Sequence, residues 1–515
     1  MSNQKRSTDK GFAFVVADPF GKPNSDDRRL IRSHVMRGKN TRAARTNLKS
    51  SASLPSQSSS HLPTATPWSV RRVLVRNDAD SEELAENANS LLPRVSRTPN
   101  DMYMFQLADD VDSTSRAMLF EFYAVIKEAM YPVEWCLHWD NSKMPWFYWL
   151  CSDAAYLHSI LFTVGLLRDA ARGSPRSKKT NFHIWKTVSL LKENIADQSL
   201  ATSDSTIATI LAMCFVAEIV GDYAGAAAHV AGLRQIVGLR GGVQNFRHNT
   251  QLQVKICRVD IGWYLCTGEK PLYYKDDLSW EPAFASILGP SPAGLGGRDG
   301  PCRVRRTLDV MDPRMGSVFQ DLQDFSRLTK LLFRTERKID PCLFQDLMTS
   351  IQYRIMHLEL PAENGLAEGF RLGMIGYLTT LFLLISGKRL RFDFFNSKFR
   401  STCRHLETAE PPGASSGLIQ AWILVIGAIS IFDPEDDVWL MPKLADIRGS
   451  LGNTWPEAKR RLEEVMWIEA IHDLAGIKVF EKLVFYDAKI PPEQALINLR
   501  EGGYVGTHRK ALVQR

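Results

Sequence analysis

Two stretches of this chain, Gly373–Gly387 and Leu418–Phe432, are apolar on nearly every side of a helical wheel. A helix without a polar face is stable in water only when other helices wrap it. At 15 residues each, the stretches fall short of the ~18–20 residues that span a bilayer. Burial in protein is therefore expected, and a membrane partner is not. Wrapping two such helices takes a large body. The chain's 515 residues, 44% of them hydrophobic, supply one without disulfide or metal staples. The expected fold class is all-α, a large multi-helix domain.

Helical patterning begins near Asp101 and runs to about residue 490. Ile207, Ile210, Leu211, Cys214 and Phe215 recur at the spacing of one helix face. The Ala-rich run Asp222–Leu239 ends at Gly241-Gly242, a strong stop signal. Thr454-Trp455-Pro456-Glu457 is a capping box with proline in the first turn. It predicts a helix that turns Leu462, Val465, Met466, Leu474 and Ile477 inward. Residues 281–318 hold many Gly and Pro and few periodic apolar residues, which predicts a long surface loop within the domain. No internal repeat and no series of alternating strands is visible.

Charge divides the chain. Residues 1–76 contain 15 Lys and Arg against four Asp, a net charge of +11, whereas the whole chain carries +7. The body is thus mildly acidic, and the head suits an anionic partner. Residues 1–49 form the basic segment, expected to be disordered apart from one short helix. Asn24 or Ser25 can cap that helix after the turn-rich stretch from Asp18. Leu30, Ile31 and Val35 give it a thin apolar stripe, and Arg28, Arg29, Arg32, Arg37, Lys39, Arg42 and Arg45 cover the rest. Such a surface can neutralise DNA phosphates, direct nuclear import, dock on an acidic protein, or be no more than a basic solvated face. Few aromatics interleave it, so stacking on single strands is not indicated. Residues 50–100 begin Ser/Pro-rich and cannot bury enough apolar area to offset ordering, so they read as a flexible linker. Residues 491–515 read as a tail.

Chemistry-bearing motifs are scarce. The eight cysteines are scattered with no two three residues apart, which excludes Cys-x-x-Cys zinc and redox motifs. Cys214 sits in an apolar helical context suited to a reduced, buried thiol. HExxH, a P-loop and a strand-flanked GxGxxG are all absent; no metal and no cofactor is expected. Gly413-Ala414-Ser415-Ser416-Gly417 matches GxSxG, but Glu410-Pro411-Pro412 before it is loop rather than the strand that a nucleophile elbow requires. Ser415 therefore reads as a helix entry. His229 has no ligand-type neighbour in sequence and reads as structural. Asp433, Glu435, Asp436 and Asp437 lack calcium-loop spacing and read as a solvated turn. Trp135, Trp139, Trp146 and Trp149, in the aromatic-dense stretch Tyr131–Tyr156, are candidates to line a ligand pocket between helices; core packing is the commoner use of such rings. With no nucleophile–base pair in view, the chain is not expected to be an enzyme.

Several segments nevertheless form an ordered set. His229–Gly242 (HVAGLRQIVGLRGG), Lys255–Asp260 (KICRVD) followed by Gly268–Pro271 (GEKP), Gln420–Gly427 (QAWILVIG) and the Trp455–Ile477 helix together resemble the fungal-specific transcription factor domain family. Arg28–Arg37 (RRLIRSHVMR) is similar to a head segment often joined to that domain. The resemblance covers most of the chain. It implies an all-helical regulatory region, spanning about residues 101–490, of a transcription regulator acting in the nucleus on a metabolic or secondary-metabolite gene set. DNA and other transcription regulators are the implied partners, and the oligomeric state is left open. Many members carry an N-terminal Zn₂Cys₆ cluster. This chain departs there: its first 135 residues contain no cysteine, so DNA contact would fall to the basic helix or to a partner. The alternative is a helical interaction or scaffold protein without a DNA role.

Overall fold

The computed structural model describes residues 105–123, 133, 136–137, 145–276, 278–288, 303–361, 364–382, 392–407, 415–433 and 436–487. The basic segment with Arg28, Arg29, Arg32, Arg37, Lys39, Arg42 and Arg45, the 50–100 linker, the 491–515 tail, Trp135 and Trp139 lie outside these residues. Among the described residues there is no β-strand; a single isolated bridge joins Leu137 and Ile339. The fold is all-α, as expected. Among the described residues no single helix is long and apolar enough to cross a membrane.

The described helices fall into two compact units. The first holds α1 (Ser113–Glu121), α2 (Pro145–Ser152), α3 (Ala154–Ala171), α4 (Lys178–Ala196), α5 (Asp204–Val220) and α6 (Tyr223–Leu239). Short polar side chains start five of them. Asp112, Asp153, Ser177, Ser203 and Asp222 each accept a backbone N–H from the first turn of the helix that follows, which satisfies one of the donors a helix start leaves open. The predicted face of α5 is inward, with Ile207, Ile210, Leu211 and Cys214 buried and Phe215 half-buried. The stop after α6 is also where the sequence puts it: Gly241 and Gly242 take φ of 83° and 97°, a region that costs residues with a Cβ.

The second unit runs from the 3₁₀ turn Val243–Asn249 through α7 (Thr250–Thr267), α8 (Phe284–Leu288), α9 (Arg303–Met311), α10 (Pro313–Thr335), α11 (Pro341–His357), α12 (Gly365–Leu381), α13 (Asp393–His405), α14 (Ser415–Ser430), α15 (Leu440–Asp446), α16 (Trp455–Val465) and α17 (Glu469–Asp487). The helices α12 and α14 pack on each other and form its centre. From Ile419 to Ala428 every residue of α14 is buried. Glycine at 373 lets the two helices approach: a Cβ there would stand 2.9 Å from Cζ3 of Trp422.

Three local expectations need correction. Residues 303–318 are not loop; they form α9 and the start of α10, burying Val304, Leu308, Met315 and Val318. Val304 and Leu308 lie one turn apart, a short apolar pair masked in the sequence by the Gly/Pro density before it. The capping box does open α16, but the helix ends at Val465, and Leu474 on α17 is 72% exposed. Between α16 and α17 the chain passes through buried Met466, Trp467 and Ile468. Buried irregular backbone is costly unless its polar groups find partners, and here side chains from other helices supply them. Gln323 donates to the carbonyls of Glu464 and Val465 (2.9 and 3.0 Å), Trp422 donates to that of Met466 (2.7 Å), and His472 Nδ1 accepts the Ile468 N–H (3.0 Å). Finally, Asp437 is not in a solvated turn. It is buried, accepts from Arg400 (2.6 Å), Trp439 (2.9 Å) and the Asp433 N–H (3.0 Å), and ties α13 to the segment after α14.

Candidate functional site

The motif segment Lys255–Asp260 and the two residues that follow Gly268–Pro271 meet in one hydrogen-bonded cluster. Helix α7 ends at Gly268, whose φ of 81° is left-handed and whose missing Cβ leaves room for the Phe394 ring. The chain then doubles back, and Asp260 Oδ2 accepts the N–H groups of Leu272 (2.7 Å) and Tyr273 (3.1 Å) and the hydroxyl of Tyr353 (3.1 Å). One turn earlier on the same face, Cys257 faces the Tyr353 hydroxyl; one turn before that, Gln253 donates to Tyr274 Oη (3.1 Å) and to the Val243 carbonyl (3.2 Å). Spacing of four and three residues places Gln253, Cys257 and Asp260 on one side of α7. Burial pushes the Cys257 thiol up to about 12 and raises the Tyr353 and Tyr274 phenols well above their usual range. A thiol so raised is inert as a nucleophile at neutral pH. The cluster therefore holds the return loop against α7 and α11 rather than performing acid–base chemistry.

A second buried charge cluster lies in the same unit. Arg354 on α11 and Asp321 on α10 are almost wholly buried and form an ion pair. Asp321 also accepts the N–H groups of Ala283 and Phe284, both at 2.8 Å, and so caps α8 from a neighbouring helix. Arg354 donates further to the carbonyls of Glu281 and Ser350 (both 3.1 Å) and to Ser317 Oγ (3.3 Å). All three guanidinium nitrogens donate, which helps a buried charge to persist.

The first unit contains a histidine pair that its sequence does not announce. His158 of α3 and His183 of α4 are 1% and 2% exposed, and their Nδ1 atoms lie 2.9 Å apart. His158 Nε2 reaches Asp109 Oδ2 at 3.1 Å, and Lys186 Nζ reaches the same oxygen at 2.9 Å. These bonds hold the Asp109 carboxyl down to about 2. Burial lowers His158, and it carries His183 down to about 4. Both imidazoles are therefore neutral near pH 7. Elsewhere in the unit, burial raises Glu218 of α5 to about 8, and its Oε1 has no hydrogen-bond partner.

Of the residues singled out from sequence, Trp146 and Trp149 are 5% and 7% exposed and pack edge-to-face, 5.0 Å between ring centroids. Tyr156 stacks on Trp146 and meets Trp149 edge-on, so these two rings pack in the core. Ser415 opens α14, as its loop context implied. His229 is half-buried with Asp222 as its electrostatic neighbour. Cys136, Cys214, Cys257, Cys266 and Cys403 are buried free thiols, and Cys342 is exposed. Among the described residues no group of three or more His, Cys, Asp or Glu is placed to hold a metal ion. Sequence reading missed His158, His183, Asp321 and Arg354; the one signal available was a charged or imidazole side chain on an otherwise apolar helix face. No protein-family model, no curated protein and no solved structure matches this chain.

Proposed function

We propose that the chain is a transcription regulator of the kind its ordered segments resemble. It acts in the nucleus through the basic head, and its helical body receives a ligand or a partner regulator. The observation that carries this reading is the division of charge, +11 over residues 1–76 against a total of +7. The all-helical body supports it, as does the bonding of Asp260, the last residue of KICRVD, to Leu272 and Tyr273, which directly follow GEKP. Without the cysteines of a zinc cluster in the head, contact with DNA would rest on phosphate neutralisation by Arg28, Arg29, Arg32, Arg37, Lys39, Arg42 and Arg45.

Binding of the full chain to mixed duplex DNA across a salt series tests this. Seven neutralised phosphates correspond to a slope of about −6 in log K against log salt. The chain lacking residues 1–49 should lose both the affinity and the slope. Equal binding by the two forms, or a flat salt response, would overturn the role given to the head. Protein partners that persist after nuclease treatment, with no DNA binding, would instead favour the scaffold reading.

A further inference from the structure

The histidine pair fastens a strap. Residues Phe105–Asp112, which lead into α1, run beside α2, where the Ala108 N–H bonds the Leu150 carbonyl at 2.9 Å. Carboxylates clamp this strap and α1 to the α3–α4 pair. Asp109 is held by His158 and Lys186, Asp112 by Lys179 (2.6 and 2.8 Å to its two oxygens), and Glu121 by Arg168. Only the first of these clamps continues inward, from Asp109 through His158 to His183.

The proton positions in that chain follow from geometry. His158 Nε2 faces a carboxylate, so it carries the hydrogen and its Nδ1 is a bare lone pair. His183 Nδ1, 2.9 Å from that lone pair, must then be the donor. This leaves the lone pair on His183 Nε2, which is buried and has no hydrogen-bond partner. One more proton has two places to go. On His183 Nε2 it creates a buried cation whose new N–H has no acceptor. On His158 Nδ1 it sets N–H against N–H. Either is unfavourable in a low-dielectric interior. The charged groups acting on the pair are Asp109 and Asp112 from the strap and Lys179 and Lys186 from α4. Around them, Arg168 of α3 is engaged by Glu121, Asp169 of α3 by Ser177 and Thr180, and Asp204 of α5 by Arg240. Phe182 lies edge-on over both imidazoles at 6.1 and 5.3 Å, and is 40% exposed, so the pair sits one ring below the surface.

We infer that the His158–His183 pair is a proton-operated latch, closed when both imidazoles are neutral and opened by acid, which controls how firmly the strap Phe105–Asp112 is held to α3 and α4. Opening frees Asp109 and exposes the pair, and the proton then binds an ordinary solvated imidazole.

Hydrogen exchange of residues 105–121 in the full chain, followed from pH 7.5 to 4.5 and corrected for intrinsic rates, tests this. The opening equilibrium of the strap should rise roughly fifty- to hundredfold over that range. Asp109→Asn should loosen the strap at every pH. His183→Gln offers a donor to neutral His158 Nδ1 and, with its amide turned, an acceptor to the protonated ring, so its strap should stay closed in acid and lose most of its pH dependence. Protection that is flat with pH in the unaltered chain would overturn the latch, as would unchanged pH dependence in His183→Gln. Nitrogen-15 spectra of histidine-labelled, unaltered protein give a second readout that needs no variant. They should show His158 protonated on Nε2 and His183 on Nδ1, both neutral at pH 7. The opposite tautomers, or a charged imidazole at that pH, would equally overturn it.

Discussion

Replacing Asp321 alone should be among the most damaging single changes to the second unit. Its carboxylate is fully buried, balances the buried Arg354 guanidinium, and accepts the two N–H groups that begin α8. Asp321→Leu leaves a cation without its counter-charge, a loss of about 3–5 kcal/mol. It also strands two backbone donors at about 1–3 kcal/mol each. These losses overlap as the site relaxes, so about 4–6 kcal/mol is expected. That is a large fraction of the ~5–15 kcal/mol by which domains are stable. Arg354→Met should cost about 3–5 kcal/mol, since the stranded carboxylate still accepts two N–H groups. The double variant removes both charges together and leaves mainly the N–H groups and carbonyls unpaired, for about 2–4 kcal/mol. Urea unfolding of the four proteins gives the cycle, and hydrogen exchange of residues 281–288 localises the effect to α8. A coupling of at least ~3 kcal/mol between the two sites is the expected result. A double variant as damaged as the sum of the singles, or a single costing under ~1 kcal/mol, would refute the argument that the pair is held by mutual neutralisation.

Other perturbations follow from the same packing. His472 is held near 3, below the usual 6.5, because burial disfavours its charge. Its stabilising effect is therefore complete above about pH 6.5 and is lost as the pH falls toward 3, by up to ~1.4 kcal/mol per pH unit; acid titration of unfolding should show that slope reduced in His472→Gln. In α14, a Cβ on Gly427 would stand 2.1 Å from the Phe432 ring, which itself packs against Phe399 and Trp439. Gly427→Ala should cost at least ~1–3 kcal/mol through overpacking. Gly232→Ala on α6 meets nothing within 4 Å and should stabilise by about 0.4–1 kcal/mol through helix propensity and a less free unfolded chain; thermal midpoints moving the same way in both variants would contradict this.

Local signals in the sequence carried much of the architecture. Apolar patterning over Leu372–Ile385, described as far as residue 382, and over Leu418–Ile431, the Gly241-Gly242 stop and the Thr454 capping box all report on interactions within a turn or two of chain, and each marks a helix or one of its ends. The misreadings share a different cause. Asp437 looks solvated until Arg400, 37 residues earlier, is seen beside it. The end of α16 is invisible because its carbonyls are satisfied by Gln323 and Trp422 from other helices. The His158–His183 pair depends on Asp109, 49 residues before the first of them. Pairings of this kind leave no periodic trace. The net charge of the head, by contrast, is a matter of composition and can be read directly.

The buried break between α16 and α17 also bears on the order in which the unit is made. Its partners lie far back along the chain: Gln323 is 142 residues from Val465, and Trp422 is 44 residues from Met466. Contacts of such separation close large loops and form late, which slows folding. As the chain emerges from the ribosome, α10, α12 and α14 are complete while Gln323 and Trp422 still await the carbonyls they will hold. Until Glu464 to Ile468 arrive, the central helices present an unsealed apolar flank, and α17 is the plug that closes it. A chain ending before residue 464 would keep that flank open and should be bound by chaperones or aggregate, even though every helix at the centre of the unit is present.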